Sequence, residues 1–397
     1  MDAVAKILER LESLGGISEE EGKLTRRFAT PALRRANDLT GQWMREAGMS
    51  ARQDAIGNLI GHYPGAAAGA KILMLGSHLD TVPNAGKFDG ALGVVLAIAC
   101  VEQLAGRKLP FAIEVAAFAD EEGVRYHTSY LGSRAMAGEF IEEVLNYIDA
   151  QGIEMRAALR QFGGDPDRIA QCRADPARLL GYAEVHIEQG PELEQKNQAV
   201  GVVTAIAGQT LASVTFEGKT GHAGTTPMRQ RRDALVAAAH FILEVECHAR
   251  KRKGLVATVG QLTVLPGASN VIPGKAVLTL EVRHEEDAKR LAAVKYFQDA
   301  LRNTPASWKT VAETPTVRCS PAQIALMRKA ARRHQPRVLN MVSGAGHDAA
   351  MMARITPVAM LFVRCRDGLS HHPDEMVAAA DVGVALAVLS DYVNEFI

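Results

Sequence analysis

The sequence has no apolar run near the ~20 residues that cross a bilayer, and no excess of charge of either sign. Lys+Arg and Asp+Glu both number 45 in 397 residues, so the formal net charge is zero. A balanced chain gives no electrostatic ground for binding nucleic acid or an anionic membrane surface, and neither is expected as a partner. Cysteine is scarce. Cys100, Cys172, Cys247, Cys319 and Cys365 are scattered and odd in number, which suits free thiols in a reducing cytoplasm rather than a disulfide framework. Residues 1–16 alternate charge and apolarity like an amphipathic helix. They lack the basic start, apolar core and cleavage site of a secretory signal, so a cytoplasmic location is expected. Internal repeats and low-complexity segments are also missing.

What is present is a soluble globular composition, 47% hydrophobic and 23% charged, in a length that favours two domains. The pattern predicts short buried strands that end in polar residues. Residues 71–75 form an apolar run leading into Gly76-Ser77-His78-Leu79-Asp80. Asp89-Gly90 then precedes an apolar helix over residues 91–99. A second run, residues 111–119, ends in Asp120-Glu121-Glu122-Gly123. A third, residues 182–188, ends in His186-Ile187-Glu188-Gln189-Gly190. Strands alternating with helices argue for an α/β sheet covered on both faces, with the polar ends in the crevice at its carboxyl edge.

Near residue 207 the pattern changes. An alternating strand over 210–217 precedes a helix over 232–250, with Leu235, Val236, Ala239, Ile242 and Leu243 on one stripe. Strands over 255–265 and 275–283, a helix over 286–303 and a strand near 308–314 complete a small inserted domain with a one-sided sheet. The α/β pattern resumes near residue 320. The expected partition is residues 1–206 and 316–397 for the larger domain and 207–315 for the insertion.

His78, Asp89, Glu121, Glu122, His186 and His371 together offer imidazole and carboxylate without thiolate, a donor set that suits zinc, manganese, cobalt or nickel. One carboxylate can bridge two ions in hydrolytic sites. Of two adjacent carboxylates, one can bind metal while the other transfers protons. Any one of twelve histidines can equally be an ordinary core or surface residue. The acidic triplet also suits a helix start or a solvated loop. On pattern alone both readings stay open.

Gly76-Ser77-His78-Leu79-Asp80-Thr81-Val82, Asp89-Gly90, Asp120-Glu121-Glu122-Gly123, His186-Ile187-Glu188-Gln189-Gly190, Gly221-His222-Ala223-Gly224-Thr225-Thr226-Pro227-Met228 and Ser370-His371-His372-Pro373-Asp374-Glu375 resemble, in order, the motifs of the aminoacylase/carboxypeptidase superfamily of dinuclear metallohydrolases. With Ser343-Gly344-Ala345-Gly346-His347-Asp348-Ala349, they are most similar to its ureido-hydrolysing branch: allantoate amidohydrolases, N-carbamoyl-L-amino-acid hydrolases and β-ureidopropionases. The resemblance implies a catalytic domain with a mixed, largely parallel sheet, and an inserted α+β lid with a four-stranded antiparallel sheet through which a homodimer forms. It implies two divalent ions per chain (Zn, Mn, Co or Ni), one on His78, Asp89 and His186, the other on Asp89, Glu122 and His371. Glu121 would be the general base, and Asp80 would orient His78. His222 would stabilise the oxyanion across the dimer interface. Asn270 and Arg283 would grip a substrate carboxylate, with Gln189 and Gly346 lining the pocket. The implied activity is hydrolysis of a ureido C–N bond in a small substrate, releasing ammonia and carbon dioxide. A dipeptidase, an N-acyl-amino-acid deacylase and an inactive relative are the alternatives. The roles of His347, His372 and Arg364-Cys365-Arg366 stay open.

Overall fold

A computed structural model describes residues 2–397. The chain divides into two units: residues up to Thr204 joined by Arg318–Ile397, and Ala205–Val317.

In the first unit the strands are β1 (Ser50–Gln53), β2 (Leu59–Tyr63), β3 (Ile72–His78), β4 (Ala112–Phe118), β5 (Leu179–Ile187) and β6 (Val200–Ile206). In the second they are β7 (Gly208–Glu217), β8 (Gly221–His222), β9 (Val256–Leu265), β10 (Val271–Ile272), β11 (Lys275–His284) and β12 (Ala306–Thr314). The chain then rejoins the first sheet through β13 (Val317–Arg318), β14 (Leu339–Ser343) and β15 (Val358–Val363). That sheet runs β1-β2-β4-β3-β5-β15-β6-β13, with β14 on β6.

Strands β3, β4, β5 and β15 are parallel, while β1, β2 and β6 pair antiparallel, so the sheet is mixed with a parallel centre. Every residue of β3 and β15 is buried, as in strands covered on both faces. The helix Ala91–Glu102 after β3 buries every residue except Glu102. It is apolar all round because it lies against the sheet on one side and the helices Ala3–Gly15 and Ala379–Asn394 on others. The parallel centre opens the carboxyl ends of four strands to one edge.

The second unit is a four-stranded antiparallel sheet, β12-β7-β11-β9. Alternation along β11 buries Ala276, Leu278, Leu280 and Val282 against Ala238, Phe241, Val245 and Phe297 of the helices Ala234–Arg250 and Asp287–Ala300. The stripe expected on the first of these helices is not its core face. Ala234, Ala238, Phe241, Val245 and His248 face inward, while Val236 and Leu243 are exposed. Both faces are apolar, so periodicity could not choose between them. A short ribbon, β8 with β10, was not foreseen.

All five cysteines are free. Among the described residues no helix is long and apolar enough to cross a membrane.

Candidate metal centre

His78 ends β3, His186 is the penultimate residue of β5, Glu121 and Glu122 follow β4, and His371 follows β15. Asp89 stands just before the helix Ala91–Glu102. Its neighbour Gly90 has φ +64, and a Cβ there would lie 2.5 Å from the His78 ring. Only glycine lets the chain turn into the helix this close to the imidazole.

His186 Nε2 lies 3.0 Å, and His78 Nε2 3.6 Å, from Asp89 Oδ1. On the other side, His371 Nε2 lies 3.3 Å from Asp89 Oδ2 and 3.7 Å from Glu122 Oε1. Two donors each about 2 Å from one cation stand about 3–4 Å from each other, so the set fits divalent ions. It forms two triplets that share Asp89: His78–Asp89–His186 and Asp89–Glu122–His371. The Nδ1–H groups of His78 and His186 donate to the backbone carbonyls of Asp80 (3.0 Å) and Ile187 (2.9 Å). Each Nε2 therefore faces Asp89, the orientation a metal-ligating histidine needs.

Burial would raise the Asp89 carboxyl, but hydrogen bonds from three imidazoles outweigh it and hold it well below the usual range. Burial favours a neutral His78, yet its bond to Asp89 and the charges of Glu121 and Asp80 hold it well above the usual imidazole value. His371 is raised chiefly by its bond to Asp89. These are protons that a divalent cation displaces on binding. Burial pushes Glu121 well up, against the opposing charge of His78. Burial and the charge of Asp89 push Glu122 up to about 7.

Residues 74–395 match the model of Peptidase family M20/M25/M40. The chain belongs to that family. It is 39% identical over 393 residues to an N-carbamoyl-L-amino acid amidohydrolase of Geobacillus stearothermophilus, covering 97% of this chain and 96% of that one. It is 39% identical over 421 residues to an allantoate deiminase of Arabidopsis thaliana, covering 96% and 80%. A solved amidase of the hydantoinase/carbamoylase family from Burkholderia multivorans superposes with a TM-score of 0.91 at 31% identity, covering 98% and 96%.

In this member of the M20 family the surroundings of the donors differ in detail from expectation. Asp80 reaches His78 through its backbone carbonyl. Its carboxylate Oδ1 stands 3.7 Å from the same ring nitrogen, and the carboxylate accepts instead from the backbone N–H of Glu121 (3.2 Å) and Glu122 (3.0 Å). Arg26, which the sequence reading passed over, is fully buried and donates to the carbonyls of Leu79 (2.7 Å), Leu14 and Ile17. Its charge faces Asp80, and burial lowers it to about 10. Gln189 Nε2 donates to Asp89 Oδ2 (3.0 Å), while its buried Oε1 has no partner among the described residues. Gly346 abuts Tyr130: a Cβ at 346 would lie 1.7 Å from the phenol oxygen.

Backbone strain collects around the same loops. Asp120, His127, Tyr130, Gln189 and His371 all have φ between 55° and 65°, a conformation that costs a non-glycine residue of order 1–3 kcal/mol. His347 is buried, bonds Ser343 Oγ at 2.7 Å and stands edge-on to His186. His372 is exposed beside Asp374. Arg364 forks onto both oxygens of Asp381 at 2.8 Å, and Cys365 is buried, so this stretch fastens β15 to the final helix.

The remaining expected residues lie in the second unit. His222 pairs with Val271, and Ala223 N–H donates to the Asn270 carbonyl (2.9 Å), so His222 and Asn270 are neighbours. Arg283, with Glu281 at 2.7 Å, is eight residues along β11 from Lys275, at the opposite end of the sheet. At about 3.4 Å per residue that is roughly 27 Å. Asn270 and Arg283 of one chain therefore do not meet on one small carboxylate.

Proposed function

We propose that the chain is a metal-dependent amidohydrolase that cleaves the ureido C–N bond of a small carboxylate-bearing substrate, such as allantoate or an N-carbamoyl-L-amino acid. The observation that carries this reading is the pair of donor triplets sharing Asp89, with Glu121 buried beside His78. Family membership and the names of the relatives support the substrate class.

His78, Asp89 and His186 would hold one divalent ion, and Asp89, Glu122 and His371 a second. When bound, the ions would polarise the ureido carbonyl and acidify the attacking water. Glu121 takes the proton of that water as its oxygen bonds to the ureido carbon, then passes it to the nitrogen as the C–N bond breaks. The carbamate left behind falls apart to carbon dioxide and ammonia. Gln189 Oε1, buried and without a partner among the described residues, would accept from a ureido N–H, and Gly346 would line the pocket. His222 supports the developing oxyanion. Arg283, a planar fork, reads the substrate carboxylate.

We further read the enzyme as a homodimer joined through the second unit, which acts as a lid. Arg283 lies roughly 27 Å along β11 from Lys275, the end of the strand nearer in sequence to the His222–Asn270 pair, which supports a site that takes them from different chains. The exposed Val236 and Leu243 supply an apolar face for the contact. Free thiols support a cytoplasmic setting.

The test is ammonia release from allantoate, N-carbamoyl-L-amino acids, N-carbamoyl-β-alanine and dipeptides, with decarboxylated analogues alongside. Turnover should be confined to ureido substrates and fall steeply without the carboxylate. Dipeptide cleavage with silent ureides would overturn the reading. Metal content should approach two equivalents per chain at saturation, since five donors with one shared carboxylate exceed one tetrahedral ion. A ratio that stays at one would remove the second ion.

A further inference from the structure

The loop bearing Asp89 and the loop bearing His371 are fastened together by a carboxylate outside the donor set. Glu375 Oε1 accepts from the backbone N–H of Phe88 (2.8 Å) and of Asp89 itself (3.0 Å). Its Oε2 lies 3.1 Å from Ser370 Oγ, and that hydroxyl lies 3.0 Å from Asp89 Oδ2. Gln189 Nε2 reaches both Asp89 Oδ2 and Ser370 Oγ, at 3.0 and 3.1 Å. Glu375 is 3% exposed. The chain at Gly86 runs so close that a Cβ there would lie 2.3 Å from Glu375 Cβ. Position and register leave this side chain little freedom.

Asp89 must present Oδ1 to one triplet and Oδ2 to the other, so its backbone must be held in one rotation. Two backbone N–H groups docked on one buried carboxylate do that. The serine hydroxyl and the Gln189 amide then fix the plane of the Asp89 carboxylate. We propose that Glu375 is a positioning residue for the shared carboxylate Asp89, and that it sets the affinity of the chain for divalent cations. This rests on the metal-dependent reading above.

Calorimetric titration of the metal-stripped full-length protein with Mn2+ tests it, with thermal unfolding of the stripped protein measured in parallel. Outer groups that orient metal ligands typically contribute 10–100-fold to affinity. Glu375→Asp keeps the charge but withdraws the carboxylate from the two N–H groups, and should weaken Mn2+ binding by about that factor. Glu375→Gln keeps an oxygen for those N–H groups and should lie much closer to wild type. At saturating Mn2+ the Asp variant should recover its turnover with an unchanged KM. Wild-type affinity in a folded Glu375→Asp protein overturns the proposal, as does a Gln variant as weak as the Asp variant. If Glu375→Asp fails to fold, Ser370→Ala carries the same test: it should weaken Mn2+ binding, and unchanged affinity overturns the proposal. A wild-type protein that binds no cation would instead sink the metal-dependent reading itself.

Discussion

Glu121→Gln should lose most turnover while keeping fold and cation binding. Glu121 is buried beside His78, its backbone N–H is held by Asp80, and it stands outside the two triplets that share Asp89, while its carboxylate groups with His78 and Glu122 in a third. The amide has the shape of the carboxylate but cannot accept the proton of the attacking water. General-base contributions are about 10²–10⁴-fold, and that range is the expected fall in kcat with ammonia release as the readout. Metal content measured on the same preparation should match wild type. A kcat near wild type would take Glu121 out of the mechanism, and loss of metal would make it a ligand.

Mixing two inactive variants should restore activity. In a homodimer that shares His222 across chains, a Glu121→Gln chain paired with a His222→Ala chain has one doubly defective site and one intact site. Random exchange of equal amounts makes half of the dimers mixed, so the pool should reach about a quarter of wild-type turnover. The prediction rests on the proposed homodimer, which the length of β11 between Lys275 and Arg283 supports. Verified subunit exchange without recovery would place His222 in its own chain's site or outside catalysis.

The strand ends were legible because polar residues interrupt apolar runs at fixed places. His78, Glu121, Glu122 and His186 each stand at or just beyond the end of a largely apolar, buried strand. The parallel centre of the sheet followed from the helices between those strands. What supports the donors was not legible. Asp80 works through its carbonyl as well as its side chain, and a backbone atom leaves no trace in residue identity. Glu375 sits in a motif with His371, yet nothing in the spacing says that it docks on Phe88, 287 positions away. Glu184 lies inside an apolar strand, where it accepts from Ser77 Oγ and the Ala349 N–H. A buried acid with distant partners reads in sequence as an interruption. The helix Ala234–Arg250 was misread for the opposite reason: two apolar faces give two equal stripes.

The chain leaves the first unit after Thr204 and re-enters at Arg318, and Cys319 N–H donates to the Thr204 carbonyl at 3.0 Å. The chain therefore leaves and rejoins the first unit at neighbouring residues. Because the cost of closing a loop grows only with the logarithm of its length, the host sheet pays almost nothing more for a guest of this size than for a much shorter excursion. All five expected donors, and Glu121 with them, belong to the host. A change in the length of the guest therefore leaves the residue positions of every proposed donor in the host unaltered.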